Sequence, residues 1–228
     1  MRKNLMIFIS AILSGMCIAF GATVYLLCNN GEFLNKFIGA LMFCIGLYTI
    51  IHFELWLYTG KVGYVLDNKP NYLINILVCF LGNLVGALFL SFIISLTSIG
   101  PTLQERASTI VDSKMSSTWY SILILSIMCG VMIYLAVEGH KKAKYTLAKT
   151  IFAFFPIILF ILAGFEHVVA NVAYFTYAHV FDFKVVLYFL LMFVGNGIGS
   201  IAFDGLLKLV NKLKEEKDNK IEEKNIEE

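Results

Sequence analysis

The sequence has little net charge, no paired cysteines and no nucleophile beside a base, and each absence removes a class of function. Its 228 residues sum to a formal charge of +2, so no nucleic-acid partner is implied. The five cysteines (Cys17, Cys28, Cys44, Cys79 and Cys129) lie in or beside apolar segments without a CxxC pair, which argues against a metal site or a disulfide framework. No cleavable signal peptide is evident, because the first apolar run continues past Cys17 to Leu27 and is long enough to span a bilayer. A membrane-embedded hydrolase using His167 and Glu166 as base and orienter lacks its nucleophile: neither Thr59 nor any cysteine has a recognisable activating partner. No cofactor motif is present.

What the chain has instead is hydrophobicity: 59% of its residues, with a mean hydropathy of +0.79. A soluble core cannot absorb that, and several runs approach the roughly 20 residues that cross a bilayer. The pattern predicts an all-α integral membrane protein with six spans, near Leu5–Cys28, Phe33–Phe53, Tyr72–Ile99, Trp119–Val137, Thr150–Phe181 and Val185–Leu209. Arg2, Lys3, Lys61, Lys69, Lys141, Lys142, Lys144, Lys149 and the lysines after span six fall on one side. Only Lys36, Arg106, Lys114 and Lys184 fall on the other, so both termini are expected to be cytoplasmic. Residues 1–210 form the membrane domain. Residues 211–228 form a charged tail, read as a solvated, fraying helix. Asp204 and Lys208, spaced i, i+4, suggest a helix-face pair near the cytoplasmic interface.

The two halves, about residues 5–99 and 119–209, repeat. Phe53-Glu54 recurs as Phe165-Glu166, and Gly82-Asn83-Leu84-Val85-Gly86 as Gly195-Asn196-Gly197-Ile198-Gly199, both offset by about 112 residues. Gly15 meets Gly130 at nearly the same offset. Halves of three spans each enter the membrane from opposite sides, so this is an inverted 3+3 repeat with its site expected where discontinuous helices meet. Asn83 and Asn196 are either interhelical glue or the residues that hold the broken segments, with the second reading favoured because both stand in the same relation to a break.

The breaks are in spans two and five. GFEHVVAN, Gly164 to Asn171, places Glu166, His167 and Asn171 inside an apolar run, where ionisable groups normally face a bundle interior or a water-filled path. A Glu-His pair bridging two helices as packing glue is the plainer reading. The first-half break spans His52 to Gly60. Two half-helices beginning at these breaks would aim partial positive charge and unpaired N–H groups inward, which favours small anions. Thr59 adds an uncharged hydroxyl, and His167 is the one side chain there that changes charge near physiological pH.

GFEHVVAN, ELWLYTG, the paired GNxxG segments and Pro156 ahead of the histidine resemble the formate/nitrite transporter family, from Gly15 to about Leu207. The resemblance implies an aquaporin-like six-helix fold in a homopentamer whose protomers each carry a pore for formate, nitrite, hydrosulfide or, in some members, lactate. By motif position His167 is the central histidine and Thr59 the threonine of the broken second span. Lys114 is the lysine before the fourth span, Asn171 the asparagine after the histidine and Asn196 that of the sixth span. Phe43 and Leu47 would narrow the pore on the outer side, Leu57 and Phe160 on the inner side. Glu166 is expected to brace its loop through backbone N–H groups, and Lys114 to draw anions into an outer vestibule. Three departures stand out. Gly130 replaces a fourth-span asparagine, removing a polar pore contact. Trp56 replaces an acidic residue, with His52 and Glu54 adding ionisable groups nearby. The chain starts almost at span one, so the cytoplasmic N-terminal helix implicated in gating in some members is expected to be absent. The expected function is a plasma-membrane channel for formate or nitrite, proton-linked through His167. A hydrosulfide or lactate-type channel, or an aquaporin-like channel for neutral solutes, is the alternative.

Overall fold

Nine α-helices dominate the computed structural model, which describes residues 2–227 and has no strand among them. In order they are α1 (Arg2–Cys28), α2 (Phe33–His52), α3 (Tyr58–Lys61, continued by a 3₁₀ turn, Val62–Asp67), α4 (Tyr72–Ser95) and α5 (Gly100–Met115). Then come α6 (Trp119–Lys142), α7 (Thr146–Leu162), α8 (Val168–Ala178) and α9 (Phe183–Glu227). Five of them, α1, α2, α4, α6 and α9, are long and apolar enough to cross a membrane. The 17-residue α7 and 11-residue α8 are apolar but each falls short of the ~20 residues a span needs.

The helix α5 departs from the outer loop expected there. Pro101 suits its first turn, where a missing N–H leaves nothing unpaired, and Leu103, Ala107 and Val111 recur every fourth residue on a buried stripe. Its opposite face is charged, so the segment carries no membrane-like hydropathy. Lys114 therefore sits in a helix, in the last turn of α5, where a cation is favoured by the helix dipole. The charged tail continues α9 as regular helix to Glu227.

The halves pack alike. In the first, α1 lies against α4 and α2; in the second, α6 lies against α9 and α7. Glycines set the first distance in each. A Cβ on Gly86 would lie 2.0 Å from the Ile12 carbonyl oxygen and one on Gly15 2.2 Å from that of Asn83. The counterparts are Gly199 at 2.0 Å from Ile127 O and Gly130 at 2.2 Å from Asn196 O. Gly130 thus faces the backbone of α9. The expected loss of a polar pore contact at this position is corrected: a side chain here would collide with a helix before it could reach any pore.

Both breaks begin the same way. At the end of α2 the Leu55 N–H reaches Ile50 O (2.9 Å) and that of Glu54 reaches Ile51 O (3.2 Å). At the end of α7 Phe165 reaches Phe160 O (2.9 Å) and Gly164 reaches Ile161 O (3.2 Å). This pair of bonds closes a helix around one left-handed residue, here Glu54 (φ 54°) and Gly164 (φ 72°). Glu54 is therefore the counterpart of Gly164, and Trp56 that of Glu166. The Phe-Glu match read from the sequence is out of register by two residues, because it aligned letters and the repeat preserves backbone bonds.

Candidate functional site

The strands of chain that leave each break are held by one asparagine apiece. Asn83 donates through Nδ2 to Ala11 O (2.8 Å) and Trp56 O (2.9 Å), and its Oδ1 accepts the N–H of Tyr58, first residue of α3 (2.8 Å). Asn196 donates to Ser126 O and Glu166 O (both 2.8 Å) and accepts from Val168, first residue of α8 (3.0 Å). Each satisfies two carbonyls and one helix-terminal N–H that would otherwise be orphaned in an apolar interior. These are the holders that the GNxxG segments suggested, and both are fully buried. Asn196 accordingly lines neither cavity described below.

The two half-helices meet side chain to side chain. Leu57 and His167 occupy the equivalent N-cap positions of α3 and α8. His167 caps its own helix, with Nδ1 accepting the Ala170 N–H (3.1 Å), while Nε2 lies 2.9 Å from Thr59 Oγ1. With the Nδ1 lone pair so used, the neutral ring carries its hydrogen on Nε2 and donates to Thr59. Both residues are buried. Phe160 stacks on the imidazole at 5.8 Å between centroids and meets Phe43 edge-on at 5.9 Å.

Cavities open on either side of this junction. The distal one, about 340 Å³, adjoins the end of α1 and is lined by Lys114, Glu166, His167, Asn171, Phe160 and Lys36 among others. The proximal one, about 500 Å³, is lined by Leu47, Leu57, Glu54, Trp56, Lys61 and the end of α6. Phe160 thus sides with the distal cavity and Leu47 with the proximal one, which exchanges the two in the division expected for the four apolar residues. Phe43 and Thr59 line neither and are buried between.

Glu166 is braced by side chains rather than by the backbone N–H groups expected. Its Oε2 takes the Lys114 ammonium at 2.6 Å and Asn171 Nδ2 at 2.8 Å. Asn171 also donates to His167 O (3.1 Å), and its Oδ1 is a buried acceptor with no protein partner. The Lys114 charge is therefore compensated within the cavity it lines. Of the departures, Trp56 donates its backbone N–H to Ser10 Oγ (3.0 Å) and His52 is exposed, stacked on Tyr48. Of the proximal lining, Lys61 escaped the sequence reading, where it served only to orient the chain.

The sequence profile of the formate/nitrite transporter family matches residues 1–210. The Formate channel FocA of Haemophilus influenzae is 29% identical over 188 residues, 75% of this chain and 65% of that protein. The uncharacterized transporter YrhG of Bacillus subtilis is 29% identical over 203 residues, 82% of this chain and 76% of its own length. The chain thus spans just under two thirds of the Haemophilus channel. Among solved structures, a pentameric formate channel with formate bound matches with a TM-score of 0.80 at 22% identity, over 93% of this chain and 98% of that one. An FNT family ion channel matches at 0.79 and 20%, over 92% and 91%. The chain is a multi-pass membrane protein, and it belongs to the formate/nitrite transporter family.

Proposed function

We propose that this chain is a channel for small monovalent anions, formate or nitrite foremost, with the proton linked to passage through His167. The observation that carries it is the Thr59–His167 contact, made where two broken helices converge between two cavities. An arriving oxyanion replaces that contact and takes both Thr59 O–H and His167 Nε2–H as donors, beside the N-termini of α3 and α8. The rings and methyls of Phe43, Phe160, Leu47 and Leu57 exclude hydrated ions on either side. A bare charge crosses such a slit at high cost, so the species that crosses is the neutral acid. Protonation of His167 needs Nδ1, and so displaces the Ala170 cap bond. The proton state of the ring is in this way tied to the start of α8.

The rest of the reading follows the same support. The halves form an inverted repeat of aquaporin type, six spans with the second and fifth interrupted. The likeness to a pentameric formate channel supports a homopentamer, and the lysine distribution supports a plasma-membrane protein with cytoplasmic termini, the distal cavity facing outward. A second reading rests on the occupied Nδ1: a His167 that stays neutral and only donates, as in a channel for uncharged solutes. Flux from proteoliposomes with formate, nitrite and hydrosulfide at two pH values separates them. His167→Asn is expected to assemble normally and lose most of the acid-stimulated flux. Superimposable pH curves for variant and wild type would leave His167 as a hydrogen-bonding wall.

A further inference from the structure

We propose that the proximal cavity holds a second anion site, centred on Lys61, at which the transported anion is collected next to the Leu57 constriction. This rests on the channel reading above and adds a place where the anion pauses. Leu57 is the N-cap of α3 and Lys61 its last residue, and both line the proximal cavity, which sets the cation beside the constriction. Lys61 is half-buried and carried by a ring, its Nζ 5.5 Å from the Trp56 indole centroid. Its backbone is tied down as well, since the Tyr72 hydroxyl donates to Lys61 O at 3.0 Å.

No carboxylate approaches Lys61 within ion-pair distance among the described residues, whereas Lys114 on the distal side is matched by Glu166 at 2.6 Å. The other ionisable groups of the proximal lining are Glu54, His140 and Lys141. Lys141 is exposed and stands 3.9 Å from Glu138, and His140 Nδ1 faces Lys149 O at 3.1 Å. Glu54 is the one acidic side chain of that lining and opposes the site. The ring shields one side of the Lys61 ammonium from water and leaves the other open, so a weakly hydrated anion can take the open side. The 500 Å³ volume admits formate, nitrite or a halide with some of its water.

Trp56 reports on the site directly. The chain has two tryptophans, and Trp119→Phe leaves Trp56 as the single one, excited beyond the tyrosine absorption band, in the full-length protein in detergent or nanodiscs. Iodide, an anionic quencher, is expected to quench it along a saturating curve that added formate shifts competitively. Lys61→Gln should weaken the iodide affinity about fivefold or more and Lys61→Arg should retain it, with quenching by neutral acrylamide equal in all three. Linear iodide quenching in the parent, or an unchanged curve in Lys61→Gln, overturns the site. If Lys61→Gln does not fold, Glu54→Gln decides: removing the opposing charge must tighten iodide, and no tightening overturns the proposal. The readout is an equilibrium one. Saturable quenching without formate flux in liposomes sinks the channel reading alone, and flux without saturable quenching sinks this site alone.

Discussion

Lys114 and Glu166 decide at the level of single side chains what the distal cavity can offer an anion. Their side chains are 12% and 3% exposed, so the pair lies nearly out of water. Removing one partner of such a pair typically costs about 3–5 kcal/mol, because the other charge stays buried and unmatched. The two halves of the pair are not equal. Lys114 can swing its ammonium toward the cavity when Glu166 is gone, while Glu166 has only Asn171 to turn to. Lys114→Gln should therefore destabilise more than Glu166→Gln, and the double variant should regain most of the loss. Thermal unfolding in detergent measures all three. A double variant no more stable than Lys114→Gln would show that the pair is not the source of the cost. The pairing also revises what Lys114 does: its field reaches the cavity paired with an opposite one, and its sure effect is to hold the carboxylate that orients Asn171.

Helix elements show a sharper contrast, between two ways a glycine can be required. At Gly199 the obstacle is the backbone of α6, 2.0 Å from where a methyl would sit, and a carbonyl cannot step aside without parting α6 from α9. At Gly164 nothing lies within 4 Å, and the requirement is the left-handed φ of 72°, worth about 1–2 kcal/mol for a side chain. Gly164→Ala is expected to fold with a modestly lower melting point, since a side chain at the equivalent position, Glu54, already holds a left-handed φ of 54°. Gly199→Ala is expected to fail to assemble, read as loss of the folded peak in detergent size-exclusion chromatography. Equal behaviour of the two would refute this account of the α6–α9 crossing. The same distinction explains what the sequence could disclose. Long spans were legible because lipid demands unbroken apolar runs, and the breaks because Glu166 and His167 violate that demand. The asparagine holders were legible because each recurs in a GNxxG frame, and Lys208 with Asp204 because i, i+4 spacing is local (2.5 Å apart). The helix α5 was not, since its stripe of Leu103, Ala107 and Val111 is too sparse to stand out. Lys114 with Glu166 was not, since 52 residues separate them and only the fold joins them.

Across the whole molecule, the question is where the packed body ends along α9. Its 45 residues would run about 68 Å, more than twice the ~30 Å of hydrocarbon. Among the described residues, the last ties from this helix to the body are at Asp204 and Lys208. Asp204 is buried and accepts the Tyr134 hydroxyl at 2.7 Å, and Lys208 joins Asp204 to Asp67 at the end of the 3₁₀ turn after α3. Lys208 thus fastens α9 to the very segment that carries Thr59. Beyond it Leu209, Val210 and Leu213 are exposed, and Lys212 pairs within its own helix, with Glu216 at 3.9 Å. A chain ending at Asn211 should then keep its melting point within about 2 °C and its flux intact, because nothing buried among the described residues is lost. Lys208→Met, a single substitution, should lower the melting point more than the loss of the tail does. Lys208 itself is 42% exposed, so solvent screens part of its field and the drop stays below that of a fully buried pair. The inequality rests on Asp204, left with one hydroxyl for two oxygens once the lysine is gone. Melting curves of the two proteins side by side test it, and a truncated chain less stable than Lys208→Met would mean the tail packs against something that a single protomer does not contain.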